Sequence, residues 1–217
     1  MAMEVAVAGG HGKIGLRLLR LLAERGDHGR GLIRNPEHAP DLEAAGAAAV
    51  GADLENLDAD AIARSISGCN AVVFAAGAGP GSGTARKRTV DYGGAVKLIE
   101  AAKMNGISRY LMVSAMGVRD PAAQSEQMRP YYEAKLEADQ ALEASGLDYT
   151  IVRPGRLTDD PGAGLIEAAD ELERSGEIPR DDVAATLAAC LDEDNTIGKS
   201  FDLLGGETPI AEALAAL

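Results

Sequence analysis

At 217 residues, with 46% apolar and 3% aromatic content, the chain is long enough for one well-filled domain and short for two. A formal net charge of −13 argues against nucleic acid or an anionic membrane as a partner. No apolar run reaches the ~18 residues of a membrane span and no leader-like segment precedes the first strand, so a cytoplasmic protein with Cys69 and Cys190 as reduced thiols is expected.

The first predicted element is a strand over 4–8, and it breaks into Gly9-Gly10-His11-Gly12-Lys13-Ile14-Gly15. A glycine at the turn lets the backbone bend. A glycine at the start of the next helix lets a pyrophosphate reach amides that have no partner, on the positive end of the helix dipole. The third glycine allows close helix–strand packing. Leu16, Leu18, Leu19 and Leu22 supply the packed faces of a helix over 13–25, and the unit as a whole predicts a dinucleotide site.

Further strands are predicted at 29–34, 47–51, 71–76, 109–114, 148–153 and 199–204. Helices are predicted at 40–45, 58–67, 86–105, 130–145, 163–174, 180–192 and 209–217. Gly26, Gly106 and Gly146 each follow a helix, where a left-handed cap is wanted. Segments such as Ala71-Val72-Val73-Phe74-Ala75 are apolar on both faces, as a parallel sheet covered by helices requires. The alternation predicts one α/β domain, a doubly wound parallel sheet flanked by helices over 1–217, with 154–180 as a small cap or substrate region.

In such a sheet ligands lie beyond the carboxyl ends of the strands. After the second strand Arg34 offers a guanidinium where an NAD site would place an acid, which suits a 2′-phosphate; the plain alternative is a surface arginine. NADP(H) is therefore the expected cofactor and NAD(H) the alternative. Asp53-Leu54 after the third strand fits adenine binding or, equally, a turn. Ala75-Ala76-Gly77 after the fourth keeps side chains small where backbone passes the cofactor. Arg86-Lys87-Arg88, following the 77–84 loop, reads as a solvated helix start or a contact for anions. His11, His28 and His38 fall in loops without ligand spacing, so no metal site is expected.

Tyr131 and Lys135 are four apart on the helix expected to start at Pro130, so they share a face. A phenol with an ordinary pKa near ~10 is a poor acid at neutral pH, and a neighbouring ammonium favours its phenolate. The pair could protonate a substrate oxygen as hydride arrives. Tyr132 is the competing phenol, with a less suitable offset to Lys135.

With Gly-x-x-Gly-x-x-Gly at 9–15, Asp53-Leu54, Tyr131-x-x-x-Lys135 and Tyr149-Thr150-Ile151-Val152-Arg153-Pro154-Gly155, the chain resembles the atypical short-chain dehydrogenase/reductases. These include NmrA-like proteins, nucleotide-sugar epimerases and small flavin or biliverdin reductases. Val90–Ala95 and Arg180–Ala184 also look like this group. The resemblance implies a Rossmann sheet with a short C-terminal substrate region. It implies that Lys135 also holds the nicotinamide ribose and that Pro154-Gly155 passes beside the nicotinamide. Relatives commonly carry two adjacent hydroxyl residues after the fifth strand, where this chain has Ser114 and Ala115. Ser114 either takes over that catalytic role or turns into the sheet, since adjacent strand residues face opposite ways.

The leading expectation is an NADP(H)-dependent oxidoreductase acting on a small carbonyl, quinone or flavin-like substrate, as monomer or homodimer. A nucleotide-sugar epimerase or dehydratase, and a non-catalytic NADP(H)-binding redox sensor, are the alternatives.

Overall fold

The computed structural model describes residues 2–79 and 83–217. Strand β1 (Glu4–Ala8) leads into α1 (Lys13–Glu24), then β2 (His28–Ile33). A 3₁₀ turn (Pro36–His38) precedes α2 (Ala39–Ala44), β3 (Ala48–Gly51), α3 (Ala59–Ser65) and β4 (Ala71–Phe74). The next helix starts as α4 (Thr84–Arg86), widens to a π-helix over Lys87–Gly94 and returns to α-geometry in α5 (Ala95–Met104). Then come β5 (Arg109–Val113), α6 (Arg129–Glu143), β6 (Asp148–Pro154), β7 (Arg156–Thr158), β8 (Leu165–Ala169) and β9 (Glu177–Pro179). The chain ends with α7 (Arg180–Cys190), β10 (Lys199–Gly205), β11 (Thr208–Pro209) and α8 (Ile210–Ala215).

Nine strands form one sheet in the order β11-β8-β10-β6-β5-β4-β1-β2-β3. From β3 to β10 every neighbouring pair is parallel. The chain moves outward from β1 to β3 and then crosses back to β4 on the other side of β1. Beyond the carboxyl ends of β1 and β4 there is thus a topological switch point, where this class of sheet opens a crevice.

Side-chain alternation along β1 builds both cores. Val5 and Val7 point to one layer, with Leu18, Leu19 and Leu22 of α1 and Leu187 of α7. Ala6 and Ala8 point to the other, with Ile62 of α3, Leu98 of α5 and Leu142 of α6. Strand β2 needs glycine for this packing. A Cβ on Gly31 would stand 2.3 Å from Leu42 Cδ2 and 3.0 Å from Leu19 Cδ1. Gly26, Gly106 and Gly146 take the left-handed conformation at their helix ends, as the sequence predicts. Cys69 and Cys190 are buried and unpaired. Among the described residues no helix is long and apolar enough to cross a membrane.

The expected helix over 163–174 is replaced by a strand. Its Leu, Glu and Ala content favours helix, but Gly164 enters the left-handed region at φ 70° and β8 then pairs antiparallel with the open edge of β10. The edge's unpaired backbone groups outweigh weak local propensity. Within 154–180, β7 and β9 pair in parallel as a separate two-stranded sheet. His28 begins β2 and is not in a loop. Of the 77–84 loop, positions 80–82 lie outside the described residues.

Neither Arg153 nor Arg156 partners the acids at 159–160. Arg153 is bound to Asp139 and Arg156 to Glu177, while Asp159 is held by Lys13, Arg17 and Arg180.

Candidate functional site

At the switch point lies a cavity of about 1090 Å³. Its floor is the turn between β1 and α1. Gly9 sits at φ 79°, and a Cβ there would stand 2.8 Å from the backbone of Ala76. A Cβ on Gly15 would come 2.3 Å from the Gly9 carbonyl oxygen, and one on Gly10 would come 2.7 Å from Gly31 Cα. The glycines therefore press the turn against β2, β4 and its own helix. Gly12 is the N-cap of α1 in extended conformation; no side chain caps the first turn and no acid lies in it. The helix opens on amides without internal acceptors, carrying positive partial charge. That cradle fits a diphosphate.

One arm of the cavity runs past the ends of β2 and β3, along Arg34, Asn35 and His38 on one side and Asp53, Leu54 and Glu55 on the other. Asn35 accepts from the Glu37 amide and so caps the 3₁₀ turn. The Asp53 carboxylate accepts from the Glu55 amide (3.0 Å) and from Asn56 Nδ2 (2.8 Å), so it closes the turn while bordering the cavity. Glu55 gathers cations at this rim: Arg86 Nε lies 3.5 Å and Arg34 Nη1 4.0 Å from its carboxylate. The imidazoles of His11 and His38 stack with centroids 3.6 Å apart, and His11 Nε2 meets Asp41 Oδ2 at 2.7 Å.

The other arm passes Ala75, Ala76 and Gly77 and reaches Val113, Ser114, Tyr131 and Lys135. Lys135 is 4% exposed; its ammonium donates to the Val113 carbonyl at 3.0 Å and lies 3.5 Å from Asp91 Oδ1. Asp91 comes from the π-helical segment and its other carboxylate oxygen accepts from the Ala78 amide. Widened π-turns recur at functional sites. Burial pushes the Tyr131 phenol above its ordinary value of 10.0, and the pull of Lys135 in the opposite direction does not overcome it. Ser114 is 4% exposed, and its hydroxyl is buried without a hydrogen-bond partner of normal geometry, on the side of Asp139.

A family model described as NAD(P)H-binding matches residues 9–194. The chain belongs to the NAD(P)H-binding family. Its kinship with the atypical short-chain dehydrogenase/reductases stands with it. A Bacillus subtilis protein named "Uncharacterized sugar epimerase YhfK" is 49% identical over 99% of this chain and 100% of its own length. A solved Bacillus halodurans structure, bearing an NAD-dependent epimerase/dehydratase name, superposes with a TM-score of 0.94 at 39% identity, covering 100% of both chains. The oxidoreductase ylbE from Lactococcus lactis follows at TM-score 0.87 and 30% identity, covering 99% of this chain and 96% of that one.

In this family member Gly9, His11, Gly12 and Ile14 border the cavity, as do Arg34, Asp53, Leu54, Ala75, Ala76, Gly77, Ser114, Tyr131 and Lys135. Gly10, Lys13, Gly15, Pro154 and Gly155 stand off its wall. Gly10 and Gly15 shape the turn from behind, and Lys13 is drawn to Asp159. A Cβ on Gly155 would strike Leu204, 2.3 Å away, so packing alone accounts for that glycine. Arg86 and Lys87 reach the cavity, whereas Arg88 pairs with Glu137. Tyr132 packs edge-on against Tyr131 and lies outside it.

Sequence reasoning gave no site role to Asp91, Glu55 or His38. Asp91 had a signal: a lone carboxylate among the buried positions of a predicted helix, Val90, Asp91 and Gly94. Such an acid needs a partner.

Proposed function

We propose that this NAD(P)H-binding protein is an NADPH-dependent reductase of a small carbonyl, quinone or flavin-like acceptor. The observation that carries this reading is that the uncapped start of α1 and the Tyr131–Lys135 pair border one continuous cavity. A reduced nicotinamide, when bound, would supply hydride. The N–H groups at the start of α1 hold a diphosphate, Asp53 and Leu54 border an adenine, and Arg34 meets a 2′-phosphate. Lys135, fixed by Asp91 and the Val113 carbonyl, orients the nicotinamide ribose and the Tyr131 phenol. Tyr131, kept neutral by burial, donates a proton to the acceptor as hydride arrives. Ser114 borders the cavity with its hydroxyl buried on the side of Asp139, so it would have to turn toward the cavity to orient the acceptor oxygen, and Val113, Met128 and Leu157 supply apolar wall. The −13 charge supports a protein that binds neither nucleic acid nor membrane. The same proposal has it working in the cytoplasm as monomer or homodimer.

The names of the Bacillus relatives favour a second reading, epimerisation or dehydration of a nucleotide sugar with a retained cofactor. The test is NADPH consumption against carbonyls, quinones and flavins, comparing wild type with Tyr131→Phe. Turnover that collapses in the variant supports the reductase. Cofactor that stays bound through purification, without NADPH consumption, supports the epimerase. Tight binding of added NADPH by protein purified free of cofactor, with no turnover on any acceptor, favours the redox-sensor alternative.

A further inference from the structure

We infer that Asp139 is the proton inlet of the active site, passing solvent protons from a second cavity through the Ser114 hydroxyl to recharge Tyr131. This rests on the reductase reading and goes beyond it, since donation by Tyr131 does not itself say how the phenol regains its proton. Helix α6 carries Tyr131, Lys135, Asp139 and Glu143 at four-residue spacing, so a stripe of titratable groups runs along one face from the catalytic cavity. At the far end of that stripe lies a second cavity of about 660 Å³, between α6 and strands β6, β8 and β10. Asp139, Glu143 and Arg153 line it together with the exposed Gln140, Asp170 and Lys199, so it opens to solvent. Ser114 borders the first cavity and not the second, whereas Asp139 and Arg153 border the second and not the first. Ser114 and Arg153 each follow one member of the Val113–Val152 pair across β5 and β6, so they stand side by side under α6. The approach of Ser114 to Asp139 thus lies between the two spaces.

Three polar atoms at this boundary are buried without a hydrogen-bond partner among the described residues: Ser114 Oγ, Asp139 Oδ1 and Arg153 Nη1. A purely structural ion pair is expected to satisfy its buried groups, because each orphan is costly. An acceptor, a donor and a hydroxyl that can act as either form a set suited to exchanging protons with water. Arg153 Nε takes Asp139 Oδ2 at 3.0 Å, which leaves Oδ1 as the atom that carries the proton. Glu143 stands on the other side of Arg153, 3.6 Å from Nη2. The groups that face the Asp139 carboxyl are Arg153 from β6, Ser114 from the end of β5 and Lys135 one turn earlier on α6. All three pull it down, but burial outweighs them and holds it above its ordinary value of 3.8, so it takes up a proton more readily than a free carboxylate.

In each cycle the acceptor gains a hydride from the nucleotide and, at its oxygen, the Tyr131 proton. The resulting phenolate takes the Ser114 hydroxyl proton while the Ser114 oxygen accepts one from Asp139 Oδ1. Water of the second cavity reprotonates Asp139, so one solvent proton is consumed for each hydride transferred.

The experiment compares first-turnover and steady-state rates of wild type, Asp139→Asn, Ser114→Ala and the double variant, in H2O and D2O. The acceptor is the carbonyl, quinone or flavin that wild type reduces fastest with NADPH. The first turnover is expected to stay within about twofold of wild type, because Tyr131 enters it already protonated. Steady-state turnover is expected to fall at least ~tenfold in either variant, with a larger solvent isotope effect, as for a slowed proton supply. The double variant should be no slower than the slower single one, since both cut the same path. Ser114→Ala removes no charge and carries the prediction if Asp139→Asn does not fold. Infrared titration of the chain without nucleotide gives a readout independent of turnover: a carboxyl band missing from a folded Asp139→Asn should protonate above the ordinary 3.8. A wild-type steady-state rate in Ser114→Ala or in folded Asp139→Asn overturns this inference and leaves the reductase reading standing. A first turnover that falls as far as the steady state also overturns it, because that is the mark of a structural or acceptor-orienting role. Absence of turnover by wild type on every acceptor overturns the reductase reading itself, and this inference with it.

Discussion

Asp91 Oδ1 stands 3.5 Å from Lys135 Nζ, with 1% and 5% of the two side chains exposed. The carboxylate comes from the π-helical turn after β4 and the ammonium from α6, so this pair ties together two walls of the cavity. Breaking a buried pair from one side typically costs about 3–5 kcal/mol, because the remaining charge is stranded. Asp91→Asn and Lys135→Met are each expected to lose stability on that scale in urea unfolding. The double variant should lose less than the sum, with a coupling of about 1 kcal/mol or more. Strict additivity would mean the two groups act independently.

Tyr131→Phe is expected to lower turnover at least ~100-fold while NADPH affinity stays within about threefold, as for loss of a proton donor that does not hold the cofactor. Steady-state kinetics and direct binding check the two halves separately. The pH sign is set by burial. A phenol raised above 10.0 remains protonated through the neutral range, so no loss of reduction through Tyr131 is expected below about pH 10. An alkaline limb near pH 8 that vanishes in Tyr131→Phe would contradict that burial outweighs Lys135.

Gly15→Ala probes the turn without touching the cavity wall. Its Cβ would fall 2.3 Å from the Gly9 carbonyl oxygen, so the turn must open and the amides at the start of α1 lose their aim. At least a tenfold loss of NADPH affinity is expected, read by nucleotide fluorescence. Unchanged affinity would show that the turn's packing does not matter to binding.

Behind Ser114, Arg153 Nε donates to Asp139 Oδ2 at 3.0 Å, deep under α6. Burial holds the Asp139 carboxyl above its ordinary value of 3.8 even with Arg153 beside it. Arg153→Met strands that carboxylate and is expected to cost about 3–5 kcal/mol at pH 7.5. The folded state then binds a proton that the unfolded state does not, so stability falls as pH rises above the unfolded carboxyl's value. The deficit should accordingly be smaller at pH 4.5 than at pH 7.5, measured by denaturant midpoints. A deficit independent of pH would mean that Asp139 does not titrate in response.

The doubly wound sheet was legible because central strands such as Val72-Val73-Phe74 are apolar on both faces, and because the Gly9–Gly15 spacing marks one turn type. The face shared by Tyr131 and Lys135 followed from helical periodicity alone. Strand β8 was not legible: Leu165-Ile166-Glu167-Ala168-Ala169 has a helix former's composition, and only the bare edge of β10 makes it extended. Ion-pair partners were equally hidden. Arg153 takes Asp139 from α6 and ignores the acids six residues ahead, a choice made by tertiary proximity that spacing does not encode. His38 gained its place beside His11 in the same way, through packing of the 3₁₀ turn against the glycine turn.

The central claim is that the amides opening α1 receive a dinucleotide diphosphate. Calorimetry of the purified chain with saturating NADP+, NADPH, NAD+ and NADH tests it most directly. The account predicts one site per chain and tightest binding for the NADP(H) forms; no heat of association from any of the four would contradict it.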